Sequence, residues 1–351
     1  MEWNGVLDRY FKYLPVTERK NIVSLSEGNS PLIRAKNIEK TLNDKLKVYL
    51  KYEGANPTGS FKDRGMTVAV SKAVEKGEKA VICASTGNTS ASAAAFAARS
   101  GLEAIVVIPE GKIAFGKLSQ AMMHGAKVVQ IKGNFDEALE LVLEISDNYP
   151  VTLVNSLNPN RIEGQKTASF EISDFLGRAP DYHLLPVGNA GNITAYWKGY
   201  KEYYDSGKTG RLPKMTGFQA AGSSPIVDGK KIEKPETVAT AIRIGNPASW
   251  EKAEKARDES GGMIGKVTDD ELVNAYRALA ASEGVFCEPA SAASVAGLFK
   301  MDGTDYFDQG SVITCTLTGH GLKDPDIAIE SSEKPKTVGK SVSEVLEVAG
   351  L

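Results

Sequence analysis

From about residue 47 the chain alternates short apolar runs with longer stretches whose apolar positions recur every three to four residues. Short apolar runs bounded by turn residues read as buried strands, and the longer period reads as helices with one face on a core. On that basis residues 81–84 form a strand and 90–100 an alanine-rich helix that Gly101 stops. A strand at 104–108, a helix near 116–124, a strand at 127–131, a helix at 135–148 and a strand at 152–155 follow. After a loop come a helix at 168–176, a strand at 183–187, a helix at 193–205 and a strand at 215–220. Residues 222–247 are polar, turn-rich and nearly without period. Helices near 249–260 and 269–283, a further one starting near Ala290 and a strand at 312–317 complete the pattern. The last twenty residues are charged and are expected on the surface.

Strands separated by helices imply right-handed crossovers, hence parallel strands with helices on both faces of the sheet. At 351 residues the chain exceeds one ordinary core. The predicted fold class is therefore α/β with two domains, each an open, mostly parallel twisted sheet. The alanines at 91, 93, 94, 95, 97 and 98 allow their helix to approach a sheet or ligand closely, though alanine also simply favours helix.

Composition narrows the function classes. A hydrophobic content of 42%, a charged content of 25% and a net charge of −2 describe a globular chain with no electrostatic case for nucleic acid or an anionic membrane. No apolar run approaches the ~20 residues that cross a bilayer. The N-terminal residues lack the basic and apolar pattern of a signal peptide, so a cytoplasmic enzyme is expected. Cys83, Cys287 and Cys315 sit far apart in apolar stretches and read as small core residues. His124, His183 and His320 form no metal-ligand spacing, so no metal is expected.

Candidate chemistry begins with Asn56-Pro57-Thr58-Gly59-Ser60-Phe61-Lys62-Asp63-Arg64-Gly65. Pro57 and Gly59 break earlier structure, Ser60 is a good N-cap, and Asp63 completes a capping-box-like pattern. Lys62 then falls in the first helical turn, at the positive end of the helix dipole, where a cation is disfavoured. That lowers an amine's pKa and suits a nucleophile or Schiff-base lysine, although a solvated lysine balanced by Asp63 fits the same residues.

Four polar loops follow predicted strands, and open α/β sheets bind ligands at strand carboxyl ends. Gly188, Asn189, Ala190, Gly191 and Asn192 join a strand directly to a helix, a backbone arrangement that holds a phosphate monoester. It lacks the Lys-Ser/Thr pair of a P-loop and the spacing of a dinucleotide fingerprint. Ser85, Thr86, Asn88 and Thr89 present hydroxyls and an amide that suit a carboxylate and a phenolic oxygen. Thr318 points a hydroxyl toward the same crevice, and Asn155 and Ser156 lead to Arg161, which suits a second phosphate or carboxylate. One activated lysine with four such loops points to pyridoxal 5′-phosphate (PLP).

The motifs at 56–65, 85–92, 188–192 and 316–324 together resemble the fold-type II, tryptophan-synthase-β-like PLP enzymes. Within that group they are most similar to the threonine synthases of short bacterial and archaeal type. The resemblance extends to Glu27-Gly28-Asn29-Ser30-Pro31-Leu32, to residues 161–167 and 241–247, and to Cys287-Glu288-Pro289-Ala290-Ser291. It implies a smaller domain at 68–155 carrying the Asn88 loop and a larger one from 1–67 and 156–351, with PLP in the cleft between them. It further implies that Lys62 carries PLP, Asn88 bonds the ring oxygen, the loop from Gly188 to Asn192 holds the phosphate, and Thr318 faces the ring nitrogen. A hydroxyl there need not keep that nitrogen protonated, which makes the ring a weaker electron sink. The implied substrate is O-phospho-L-homoserine, converted with water to L-threonine and phosphate. Ser85, Thr86 and Thr89 are candidates for its carboxylate, and Asn155, Ser156 and Arg161 for the leaving phosphate, with Lys112 and Lys117 behind them. A homodimer is expected, and a threonine or serine dehydratase of the same fold is the alternative.

Overall fold

The computed structural model describes residues 2–43, 45–111 and 115–351, and the side chains of 115–117 are not described. Among the described residues there are ten strands: β1 (Leu32–Arg34), β2 (Lys47–Tyr52), β3 (Ala80–Ala84), β4 (Glu103–Pro109), β5 (Lys127–Ile131), β6 (Val151–Leu153), β7 (Tyr182–Pro186), β8 (Lys214–Ala220), β9 (Met263–Val267) and β10 (Val312–Leu317). They form two sheets, one ordered β1-β2-β10-β7-β8-β9 and the other β5-β4-β3-β6. All pairings are parallel except β1 with β2. The α/β class with two mostly parallel sheets agrees with the alternation in the sequence. Strands β1, β2 and β9 add to the predicted set; four of the five β9 residues are half-buried, and Gly265 and Lys266 break any continuous apolar run.

The four-stranded sheet comes wholly from residues 80–153, and every strand of the other lies outside that span. Helix Asn88–Ser100 packs over the smaller sheet, with Ala91, Ala93, Ala94, Ala95 and Ala97 buried and Ala98 exposed. Each of these alanines presents only a methyl group, so the helix lies close against Val81, Cys83 and Val106. In the larger sheet, Val48, Leu50, Leu184, Phe218, Ile313, Cys315 and Leu317 are buried against the helices Asp269–Glu283 and Ala293–Met301.

Two connections fix the start of helix Lys62–Glu75. It crosses helix Pro159–Gln165 at a glycine contact, where a Cβ on Gly164 would lie 1.8 Å from the Arg64 carbonyl oxygen. Beneath the crossing Arg64 is buried between Glu53 and Glu171, and Glu171 also takes Lys51 Nζ at 2.7 Å. Burial of four charges is tolerated because each faces an opposite charge in hydrogen-bonding geometry. The residues of 332–351 are exposed or nearly so, in keeping with the charged composition there, and they include the helix Val342–Ala349.

Candidate active site

Both sheets reverse their strand order at one place. In the smaller sheet the chain leaves β3 toward β4 on one side and returns to β6 on the other, so the loops after β3 and β6 diverge. In the larger sheet β10 lies beside β7, and their following loops part in the same manner. A crevice opens at such switch points. The two crevices face each other and form one cleft, lined by Lys62, Ser85, Thr86, Asn88, Thr89, Asn155, Ser156, Gly188, Asn189, Ala190, Gly191, Asn192 and Thr318. Among the predicted residues with described side chains only Arg161 is not part of this lining. Lys112 lies outside the described residues, as does the side chain of Lys117.

Lys62 opens its helix, but not as the local sequence suggests. Ser60 is buried and engaged in a bridge to Gly319, flanked by Phe61 N–H donating to Thr318 O at 3.0 Å and His320 N–H to Gly59 O at 2.9 Å. Phe61 therefore occupies the N-cap position without a side-chain bond, and the expected capping box is absent. Asp63 turns back instead. It accepts from Thr58 N–H at 2.7 Å, Thr58 Oγ1 at 2.6 Å and Ser92 Oγ at 2.6 Å. These bonds tie the lysine loop both to the Thr318 loop of one sheet and to the alanine helix of the other.

The Lys62 amine lies 4.3 Å from the Phe61 ring and makes no hydrogen bond or ion pair among the described residues. Burial pulls its pKa from 10.5 down to about 7, the buried Arg161 guanidinium pushes the same way, and Glu288 opposes both. Near neutral pH a large share of this amine is an unprotonated nucleophile, whereas an ordinary lysine is almost wholly ammonium. Arg161 corrects the sequence expectation in placement. It is buried, Nη1 donates to Val154 O at 2.6 Å, and Nε has no partner. Burial lowers its own pKa to about 10. The residue acts on Lys62 through its charge, from outside the cleft wall.

The phosphate-loop candidate has the backbone such a loop needs. Ala190 adopts φ 63° and ψ 0° just before the helix Gly191–Asp205, a left-handed turn that points successive N–H groups to one side. The first-turn N–H groups of a helix lack intrahelical acceptors. Asn192 is buried with both amide atoms unpartnered. A Cβ on Gly188 would lie 2.9 Å from Ile242 Cα, so the loop is closed against residues 241–242 without room for a side chain. Orphaned polar groups at a helix start beside a free amine are what a phosphate-bearing aldehyde would satisfy, and these residues fit PLP.

Other candidates are already engaged. Asn155 bonds the Ala84 backbone with both amide atoms, at 2.9 and 3.0 Å, and so joins the β3 and β6 loops. Asn189 donates to Ser156 Oγ at 2.7 Å and accepts from Ala248 N–H at 2.7 Å. Ser85 Oγ accepts from Gly87 N–H at 3.2 Å, while Thr86 and Thr89 line the cleft half-buried. Sequence reasoning assigned no role to Glu288 or Lys323. Glu288 accepts from Asn88 Nδ2 at 2.9 Å and from Thr318 Oγ1 at 2.7 Å, joining residues from the two sheets. Lys323 lines the cleft and donates to Thr58 O and Gln120 Oε1. One signal was available for Glu288: a lone charge before a proline within the otherwise small and apolar stretch 287–293.

A half-buried free lysine between two parallel sheets, with an anion loop and polar strand ends around it, defines a PLP-binding enzyme of this two-sheet architecture. The chain belongs to that family: the family model described as "Pyridoxal-phosphate dependent enzyme" matches residues 23–319. Its particular relatives are the threonine synthases. That of Synechocystis sp. is 61% identical over 330 residues, covering 94% of this chain and 86% of the relative. That of Mycobacterium tuberculosis is 55% identical over 350 residues, covering 99% and 97%. That of Methanocaldococcus jannaschii is 55% identical over 336 residues, covering 93% and 83%. Among solved structures, maize serine racemase superposes with a TM-score of 0.76 at 18% identity, covering 93% of this chain and 97% of that one. A threonine deaminase isoform from Solanum lycopersicum superposes with 0.75 at 22% identity, covering 95% of each chain, and both likenesses speak to the fold alone. The cofactor is PLP. Among the described residues no helix is long and apolar enough to cross a membrane, and no group of metal-ligating side chains occurs.

Proposed function

We propose that this chain is a threonine synthase that eliminates phosphate from O-phospho-L-homoserine, adds water at Cβ and yields L-threonine. The observation that carries the reading is the free, low-pKa Lys62 amine in a cleft where four strand-end loops converge, in a chain 55–61% identical to threonine synthases.

Lys62 is assigned the covalent attachment of PLP. Asn88 takes the ring oxygen, the loop from Gly188 to Asn192 the phosphate, and Thr318 the ring nitrogen. When bound, the cofactor supplies an electron sink that acidifies the substrate's Cα and Cβ protons. Lys62, released by the substrate amine, moves those protons, and an amine titrating near 7 both accepts and returns them at neutral pH. Ser85, Thr86 and Thr89 are assigned the substrate carboxylate, since their hydroxyls stand at the start of helix Asn88–Ser100. Ser156, held by Asn189, is assigned to the leaving phosphate, while Asn155, engaged on the Ala84 backbone, holds the loops after β3 and β6 together beside it. Arg161 contributes its charge from behind the wall rather than by contact. We assign residues 68–155 to a smaller domain and 1–67 with 156–351 to a larger one, with a homodimer in the cytoplasm as the working form.

The purified holoenzyme is expected to release inorganic phosphate from O-phospho-L-homoserine and to form no 2-oxobutanoate from threonine. Lys62→Ala should fold, bind PLP noncovalently and lose several orders of magnitude in threonine formation. The reverse substrate pattern would assign the chain to the dehydratases.

A further inference from the structure

The last helix, Val342–Ala349, has an apolar face that nothing among the described residues covers. Val342, Val345, Leu346 and Ala349 recur at the three- and four-residue spacing of one helical face, with Ser343, Glu344 and Glu347 on the other. Every residue from 342 to 351 is exposed, Val342 by 76%, Val345 by 53% and Leu346 by 42%. With Val348 and Leu351, these side chains leave roughly 500 Å² of apolar surface in water, toward the upper end of the patches a monomer carries.

A groove of about 920 Å³ lies where the tail leaves the body, since Ser331 and Glu333 are part of its lining. Helix Asp269–Glu283 gives it Tyr276, Ala280 and Ala281, helix Pro325–Glu330 gives Ala328, and Phe286 completes the apolar wall. Ala280 and Ala281 present exposed methyl groups, and the Tyr276 hydroxyl has no partner. Arg277 also lines the groove. It holds Ser331 O through Nε at 3.0 Å and makes no ion pair among the described residues, which leaves its Nη groups for a carboxylate such as Glu344 or Glu347. Residues 333–339 adopt no helix, strand or turn, and Pro335 biases Lys334 to extended backbone. The connector therefore does not double back at its root, and its nine residues carry the helix up to roughly 30 Å from its own groove.

We propose that this helix docks in the groove of a second copy of the chain, which returns its own helix to the first. Each tail is rooted beside a groove, so a single twofold axis closes both contacts and leaves no helix and no groove over. Covering two helices and two grooves removes roughly 2,000 Å² from water, the size of a stable interface. The exchange rests on the homodimer reading and is independent of the substrate.

The test co-expresses two holoenzyme chains, one lengthened by a tag, with Leu346→Cys on one and Ala281→Cys on the other. The native cysteines are buried, so a short bismaleimide reacts at the two new thiols. A covalent species containing both chains is expected. Ala280→Cys, also on the exposed wall, serves if Ala281→Cys does not fold. A chain carrying both Leu346→Cys and Ala281→Cys should give linked dimers; a linked monomer instead would seat the helix in its own groove and overturn the exchange. No linkage in a protein that sediments as a dimer overturns the docking and keeps the homodimer, whereas sedimentation as a monomer removes both. Leu346→Asp should raise the dimer dissociation constant at least tenfold in dilution experiments, and an unchanged constant counts against the exchange.

Discussion

Replacing Lys62 by methionine should make the cofactor-free protein more stable. Methionine has similar length, no charge and enough flexibility to fill the same space. The free amine loses its proton near pH 7 in the folded chain against 10.5 for an ordinary lysine. That difference of about 3.5 units corresponds to about 5 kcal/mol against the charged form. Lys62 keeps partial exposure to the cleft, so screening leaves roughly half, on the order of 2–3 kcal/mol. The sign follows from proton counting. Between pH 7 and 10.5 the unfolded chain binds the Lys62 proton and the folded chain does not, so wild-type stability rises with pH in that window. Below pH 7 both states hold the proton and the penalty is at its full size. The methionine variant escapes the penalty. Its advantage should be largest at and below pH 7 and should shrink by about 1 kcal/mol between pH 7 and 9. Urea denaturation of both apoproteins, followed by circular dichroism at pH 6, 7, 8 and 9, measures this gap, and groups that titrate alike in both proteins cancel. A variant no more stable than wild type at pH 7, or a gap equal at pH 6 and 9, would refute the assignment of Lys62 as a strained, low-pKa amine.

Gly164→Ala should cost about 3 kcal/mol, because its Cβ would fall 1.8 Å from the Arg64 carbonyl and force two helices apart; an unchanged melting midpoint would contradict this. Glu171→Gln strips the counter-charge from Lys51 and Arg64 and should cost about 3–5 kcal/mol at pH 7, with a loss under about 1 kcal/mol counting against it. The Glu171 pKa lies near 2, below its ordinary 4.5. Its stabilisation should therefore be lost as pH falls through that interval in wild type and be missing from the variant's acid-unfolding curve. Gly188→Ala, whose Cβ would sit 2.9 Å from Ile242 Cα, should weaken PLP binding at least tenfold in a fluorescence titration, and unaltered binding would place the phosphate elsewhere.

The alternation of apolar runs and helical periods carries the architecture because a buried parallel strand and its covering helix each satisfy a one-dimensional pattern. It fails for β9, whose residues are half-buried, and for β1 and β2, where no such run stands out. Lys62 is conspicuous in the sequence for a reason the structure changes. The local argument rests on a helix start and a capping box, whereas Ser60 pairs with Gly319 and Asp63 serves Thr58 and Ser92. Its low pKa comes first from burial and then from Arg161, a residue 99 positions further along the chain. Arg161 itself resembles a ligand-clamping arginine by its place after a strand. The crossing at Gly65 and Gly164 instead draws it behind the cleft wall.

What the chain determines by itself is local: which segments are strands, where polar loops follow them, and that one lysine stands behind a Pro/Gly turn. These rest on backbone preference and spacing, which neighbours along the chain set. Only the tertiary structure decides which loops meet and which side chains are used up on one another. Asn155 is spent on Ala84, Asn189 on Ser156 and Ala248, and Glu288 spans from Asn88 to Thr318 across about 230 residues. Burial and charge act through space, so the state of Lys62 belongs to the folded cleft and not to the ten-residue motif that contains it.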